Sequence, residues 1–257
     1  MKRNRQKKSL ISSPMSASRD NIVYLEKYQD RDMEKLYRYD RKANDTTPKK
    51  ENSRLVARTE SQKYHIQALR ESIQTIAYGP AGVGKSYISV KIALQMLQNK
   101  EVDKIVLSRP NVSMSKSLGF FSGDKNEKLA GWLAELIGII KEEIGESHFE
   151  YLLKKEIIEL VPFELMRGRS FKNSFVIIDE FQSANVPEAK LIMTRIAEGS
   201  KLAIIGDTEQ SDIKEYSGLS KIIDVLNAVS NKNIAIVQYT SNDIVRSEIC
   251  KFWVENL

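Results

Sequence analysis

Eight residues constrain this chain more than any other stretch. Residues 79–86 read Gly79-Pro80-Ala81-Gly82-Val83-Gly84-Lys85-Ser86, between an apolar run, Ile73 to Tyr78, and a segment with helical apolar spacing. A strand that turns through glycines directly into a helix points its backbone N–H groups inward, at the positive end of the helix dipole. Such a turn cradles an anion. The pattern G-x-x-x-x-G-K-[ST] adds a lysine that reaches β- and γ-phosphates and a hydroxyl, here Ser86, suited to Mg²⁺. The octapeptide predicts an open α/β fold with a nucleoside triphosphate site.

Three further signals fall where that fold requires them. Phe175-Val176-Ile177-Ile178 is a continuous apolar run, as expected of a central parallel strand buried on both faces, and it ends in Asp179-Glu180. Ligands sit at that carboxyl edge in open α/β sheets. Asp179 is placed to hold Mg²⁺ through water, and Glu180 to act as general base on the attacking water. The run Lys201 to Ile205 ends in Gly206-Asp207-Thr208-Glu209-Gln210, where Gln210 can sense a γ-phosphate. Ahead of the first strand, Thr59-Glu60-Ser61-Gln62 offers a glutamine amide able to pair with adenine N6 and N7, which favours ATP.

Apolar patterning predicts strands at 73–78, 104–108, 174–179, 201–206 and 233–238, with a short one within 156–162. Helices are expected at 85–98, at 126–145 from the spacing of Leu129, Trp132, Leu133, Leu136, Ile137, Ile140 and Ile144, and from Pro187 to Ala197. A further helix follows Ser217-Gly218, and a last one runs from Ser241 onward. Strands alternating with helices imply a mostly parallel sheet covered on both faces.

The net charge of +6 is uneven: residues 1–60 hold 16 Lys+Arg against 9 Asp+Glu, and the other 197 residues are nearly balanced. We divide the chain into a basic, partly disordered extension and linker, 1–54, and a main domain, 55–257. The block Lys2, Arg3, Arg5, Lys7 and Lys8 suits either phosphate contacts with a nucleic acid or a solvated leader. The segment Asn21 to Arg41 has the spacing of one or two short helices. No apolar stretch approaches the ~20 residues that span a bilayer. Leu10-Ile11 followed by Ser12-Ser13-Pro14 is no signal-peptide core. A single cysteine, Cys250, excludes an internal disulfide, and no Cys/His spacing suggests zinc. A cytoplasmic setting is the expectation.

Taken in order, these elements resemble the PhoH family of P-loop ATPases, which are related to superfamily-one helicases. The likeness runs from about Arg54 onward. It includes Ser108-Arg109-Pro110-Asn111-Val112, Leu118-Gly119-Phe120-Phe121-Ser122-Gly123-Asp124, Met166-Arg167-Gly168-Arg169-Ser170, Asp179-Glu180-Phe181-Gln182, Gly206-Asp207-Thr208-Glu209-Gln210 and Asp243-Ile244-Val245-Arg246. The resemblance implies a RecA-like sheet, Mg²⁺-dependent ATP hydrolysis, and action on RNA or single-stranded DNA. By position it makes Asp179 and Glu180 the metal and base carboxylates, Gln210 the phosphate sensor, and Arg246 an arginine on the γ-phosphate. Gln182 would couple the site to polynucleotide or to the water. Phe181 stands where a small residue is usual, which predicts altered packing behind the site. Ser247-Glu248 replaces His-Pro.

One RecA-like core is recognisable, whereas superfamily-one helicases close a cleft between two. A motor built from this chain would need neighbouring copies, so a homo-oligomeric ring is expected, with a hexamer as the form the resemblance suggests. Arg109, Arg167, Arg169 and Arg195 are candidates for an arginine given in trans. Two alternatives to the motor remain at this stage: an ATP-switched module that binds nucleic acid or protein without unwinding, and a small-molecule phosphotransferase.

Overall fold

The computed structural model describes residues 55–110, 125–210, 216–246 and 248–256. The basic extension and the expected helices within 21–41 lie outside the described residues, as does the segment 111–124.

The chain enters through α1 (Glu60–Glu71), whose first turn is capped by the Thr59 hydroxyl accepting from Gln62 N. Then follow β1 (Gln74–Tyr78), α2 (Lys85–Gln98) and β2 (Lys104–Ser108). Three helices come next, α3 (Lys125–Trp132), α4 (Ala134–Ile144) and α5 (Glu146–Lys154), leading to β3 (Ile158–Leu160). β4 (Ser174–Ile178), α6 (Val186–Met193), β5 (Lys201–Gly206), α7 (Gly218–Ala228), β6 (Ile234–Gln238) and α8 (Glu248–Asn256) complete the order.

The six strands form one sheet in the order β3-β2-β4-β5-β1-β6, and every pairing is parallel. This is the parallel α/β sheet expected from the alternation of elements, in the RecA-like form that the resemblance implies. The order has one consequence for chemistry. β5, which ends in Gly206, lies between β1 and β4, so the glycine-rich turn and the acid pair flank it at the same edge.

Side chains alternate across the sheet. Phe175 and Ile177 of β4, with Ala203 and Ile205 of β5, pack on one face against Ile92 of α2 and Leu136 and Ile140 of α4. Val176, Ile178, Leu202 and Ile204 pack on the other face with Ala189 and Ile192 of α6 and Leu219 and Ile222 of α7. Central strands buried on both sides must be apolar throughout, which is why β4 reads as an unbroken hydrophobic run. An ion pair between Lys91 and Glu143, N–O 2.5 Å, ties α2 to α4. Phe181 is fully buried and meets Phe163 edge to face, 6.1 Å between centroids, so the large residue expected to alter packing is absorbed by the core.

Three helix expectations need correction. The helix expected at 126–145 breaks at Leu133, whose φ/ψ of −96°/15° leaves the helical region, and α5 follows after Gly145 at φ 83°. The helix expected to reach Ala197 stops at Met193. The Thr194 hydroxyl bonds back to the carbonyls of Lys190 and Leu191, and the chain then pairs with Phe171 through Arg195 O and Ala197 N. The last helix begins at Glu248 rather than Ser241. Thr240 and Asp243 do form a capping box, but it closes a single 3₁₀ turn, Ser241–Asp243, and Ile244 returns to extended backbone.

Candidate active site

β1 delivers the chain to Gly79 at the carboxyl edge of the sheet, and α2 departs from Gly84. Between them the loop curls through positive φ at Gly79, Gly82 and Gly84. At Gly79 the demand is also for space, because a Cβ there would collide with the backbone oxygen of Tyr239, just past β6. Gly84 caps α2 with no side-chain bond, so the N–H groups of its first turn keep no partner within the helix. Gly82, Gly84, Lys85 and Ser86 line a cleft of about 780 Å³. Lys85 Nζ donates to the carbonyls of Gly79 and Pro80 at 2.5 and 2.8 Å. Burial lowers its pKa, and the carboxylates of Asp207, Asp179, Glu180 and Glu135 oppose that shift.

The acids expected opposite the loop line the same cleft. Asp179 is 5% exposed, and its Oδ1 accepts from Glu180 N at 3.1 Å. Burial pushes its pKa up to about 7, helped by the charges of Glu180 and Glu135, while the Glu180 N–H and Arg109 act in the opposite sense. A carboxyl placed under such pressure fits a divalent cation, which would hold it ionised. Among the described residues no three His, Cys, Asp or Glu side chains are grouped to hold a metal. Mg²⁺ needs no such cage, since it keeps its waters and takes one or two carboxylates plus substrate phosphates. The Ser86 hydroxyl and the Asp179 carboxylate fit that role.

Glu180 sits at φ 53°, ψ 39°, a left-handed conformation that turns the chain sharply out of β4. Its Oε2 accepts from Gln182 Nε2 at 2.5 Å, and Gln182 Oε1 accepts from Asp207 N at 3.0 Å. One amide therefore joins the ends of β4 and β5. Gly206 makes room for it: a Cβ there would lie 2.6 Å from Leu219 Cδ2 and 2.9 Å from Gln182 Oε1. Gln210 is exposed and lines the cleft beyond.

At the other end of the cleft stands Gln62, 5% exposed. Its Oε1 accepts from Arg58 N at 2.8 Å and its Nε2 donates to Val83 O at 2.9 Å, and these two bonds use one lone pair and one N–H of the amide. Arg246 lines the cleft from the segment before α8, which is held to the loop by Val245 N donating to Gly82 O at 3.3 Å.

Lys85, Ser86, Asp179, Glu180, Gln210, Gln62 and Arg246 thus converge on one cleft, together with Ala81, Gly82 and Gly84 of the loop. Gly79, Pro80 and Val83 serve its frame instead. Val83 is fully buried, and Gly79 N donates to Gly206 O at 3.2 Å. Four charged residues that line the cleft lie outside the expected site: Arg58, Glu135, Glu142 and Asp207. Glu135, Gly138 and Glu142 form one stripe of α4 at helical spacing, the polar counterpart of the apolar face that identified the helix. That spacing is the signal from which they could have been found.

The four candidates for an arginine given in trans are differently engaged. Arg169 pairs with Glu159 at 2.6 Å and covers the Phe171 ring. Arg109 donates to Trp132 O at 3.3 Å and favours the ionised form of Asp179 in its own chain. Arg167 is exposed, and the Arg195 Nε is buried without a hydrogen-bond partner.

The family model of the PhoH-like protein matches residues 54–257. The chain belongs to the PhoH-like protein family. Among its relatives, Protein PhoH of Escherichia coli K12 is 34% identical over 215 residues, covering 82% of this chain and 58% of that protein. The PhoH-like protein of Bacillus subtilis 168 is 35% identical over 191 residues, covering 74% of this chain and 59% of that protein. The chain spans a little under three fifths of the length of these relatives. A crystal structure of the HK97 bacteriophage large terminase overlaps 72% of this chain and 40% of its own, with TM-score 0.48 and 16% identity. That overlap is too partial to add to the family assignment. Among the described residues no helix is long and apolar enough to cross a membrane.

Proposed function

We propose that this chain binds MgATP in the cleft and hydrolyses it, coupled to the binding or remodelling of RNA or single-stranded DNA in the cytoplasm. The observation that carries this reading is the meeting, in one cleft, of a phosphate-cradling turn with Lys85, a metal-suited pair in Ser86 and Asp179, and a carboxylate, Glu180, oriented by Gln182.

Loop N–H groups and Lys85 grip the phosphates, and Gln62 reads adenine. Bound Mg²⁺ would neutralise phosphate charge as the γ-phosphoryl leaves. Glu180 takes a proton from water as its oxygen attacks the γ-phosphorus. The bond from that phosphorus to the β,γ-bridging oxygen breaks, and ADP carries the electron pair away. Gln210 senses the γ-phosphate, and Arg246 stabilises its spreading charge. The polynucleotide partner, and a homo-oligomeric ring in which a neighbour lends an arginine, are drawn from the family likeness. The division at residue 54 is likewise our proposal, as is a role for the basic extension in gripping phosphates.

The deciding experiment measures phosphate release from ATP with RNA, single-stranded DNA and duplex added separately. Stimulation by a single strand is expected. Turnover that ignores all three polymers would remove the coupling, and absence of MgATP binding by calorimetry would remove the site. Light scattering with and without ATP tests the ring.

A further inference from the structure

Two segments that line the cleft are joined by a buried carboxylate that does not itself line it. Asp243 is 7% exposed. Its Oδ2 accepts from Thr240 N at 3.0 Å and from the Thr240 hydroxyl at 3.3 Å, within its own turn. The same oxygen accepts from the Ser61 hydroxyl at 3.0 Å, across 182 residues of sequence. Burial raises the pKa of Asp243, but hydrogen bonds from Thr240, Thr59 and Ser61 outweigh it and hold the group ionised. Thr59 and Ser61 are the cap and second residue of α1, directly beside Gln62. Asp243 lies three residues before Arg246, and between them Val245 N donates to Gly82 O of the loop.

A second tie runs parallel. His65, one turn along α1 from Ser61, has its Nδ1 2.9 Å from the Tyr239 hydroxyl, and Tyr239 is the residue whose backbone crowds Gly79. The segment 239–246 is thus bound on one side to the helix that carries Gln62 and on the other to the phosphate turn. A turn held only by its own Thr240 bonds would need neither Ser61 nor Thr59.

We propose that Asp243 is a positioning residue that locks the start of α1 to the segment 239–246, so that contact with the base at Gln62 fixes the placement of Arg246 in the cleft. This rests on the reading of the cleft as an ATP site. A hydrogen bond to a charged acceptor that holds two elements in register is worth about tenfold in an equilibrium or rate. A shift of catalytic groups by about 1 Å can cost more. The linkage is also specific in chemistry: GTP, which presents a different edge to Gln62, does not engage it.

The test compares wild type, Asp243→Ala, Ser61→Ala, Arg246→Ala and the double variant Asp243→Ala/Arg246→Ala. The readouts are kcat and KM for ATP and for GTP, with melting temperature as the control for folding. Asp243→Ala is expected to lower kcat/KM for ATP about tenfold, chiefly in kcat, and to change GTP turnover less, so that the preference for ATP shrinks. The double variant should be no worse than Arg246→Ala alone. Ser61→Ala keeps the Thr240 bonds and loses one of the two links from α1, the other being Thr59, so it reports even if Asp243→Ala does not fold; it should lower kcat for ATP in the same sense and by less. Asp243→Asn, which retains an acceptor oxygen, should recover part of the loss. Additive losses in the double variant, or equal losses for ATP and GTP in Ser61→Ala, would overturn the proposal. Wild-type protein that binds no nucleotide would instead overturn the ATP site itself.

Discussion

On the reading proposed here, the phosphate end and the base end of the cleft are built on different principles. The phosphate end consists of backbone and strand termini: an eight-residue turn, the last residues of β4, and the last residues of β5, all fixed by a sheet whose central strands are buried on both faces. The proposed base end is assembled from side chains on separate elements, chiefly Gln62 at the start of α1. α1 is tied to its surroundings by single side-chain hydrogen bonds, Ser61 to Asp243 of the turn before α8 and Gln62 to Val83 of the glycine-rich turn. A polyanion can be gripped by main-chain geometry, which requires contiguous residues. A base must be read by side-chain amides and apolar walls, which any set of elements can supply. Damage at the first end should therefore strike every nucleotide alike, and damage at the second should change which nucleotide is preferred.

That contrast can be broken by experiment. The largest effect is expected at Glu180→Gln, which should retain MgATP binding by calorimetry while single-turnover hydrolysis falls by about 10²- to 10⁴-fold; unchanged hydrolysis would move the base elsewhere. Lys85→Ala comes next. The loss of a charge-assisted contact corresponds to about 3 kcal/mol, so affinity for ATP and GTP should fall together by roughly two orders of magnitude. A drop for one nucleotide only would contradict the division of labour.

Acid sensitivity gives a third test. His65 is fully buried against Tyr239, and burial, with the nearby Lys85 charge, lowers its pKa to about 3 from the ordinary 6.5. Between those values the unfolded chain binds a proton that the folded chain refuses, so stability falls as pH drops from 6.5 towards 3, by ~1.4 kcal/mol per unit. Wild type should lose about 2 kcal/mol between pH 7 and pH 5 through this group. His65→Asn should show a flatter acid limb in urea melts, and an unaltered slope would show that the ring is not the group responsible.

Gly206→Ala should lower stability by about 1–3 kcal/mol through overpacking against Leu219 and Gln182, with turnover lost along with the Gln182 bond. The smallest effect is expected at Gln62→Ala, where the ratio of ATP to GTP affinity should fall about tenfold with little change for GTP. Equal weakening of both would make Gln62 part of the frame rather than a reader.

How much could be read in advance follows the same division. The strands were legible to within a residue or two because burial on both faces leaves an unbroken apolar run, as in Phe175 to Ile178. The turn and the acid pair were legible because their chemistry is contiguous. The break at Leu133 was not, because Leu129, Leu133, Leu136, Ile137 and Ile140 are all buried and keep helical spacing straight through it. Periodicity reports which face is covered and is blind to one residue leaving the helical region. The start at Ser241 misled for the opposite reason. Thr240 and Asp243 are a genuine cap, but the carboxylate that completes it is also committed to Ser61, a partner no local pattern reveals. Glu135 and Glu142 were overlooked because acids on the outer side of an amphipathic helix read as ordinary solvated charge.

The Gln182 bridge carries one last implication. An amide offers a donor at one corner and an acceptor at the other, and it has two orientations. Donation to Glu180 selects one of them, and in that orientation the acceptor corner receives Asp207 N. Asp207 N, donating from the other side, demands the same orientation, so the amide acts as a one-way spacer and neither strand end can shift without costing the other its bond.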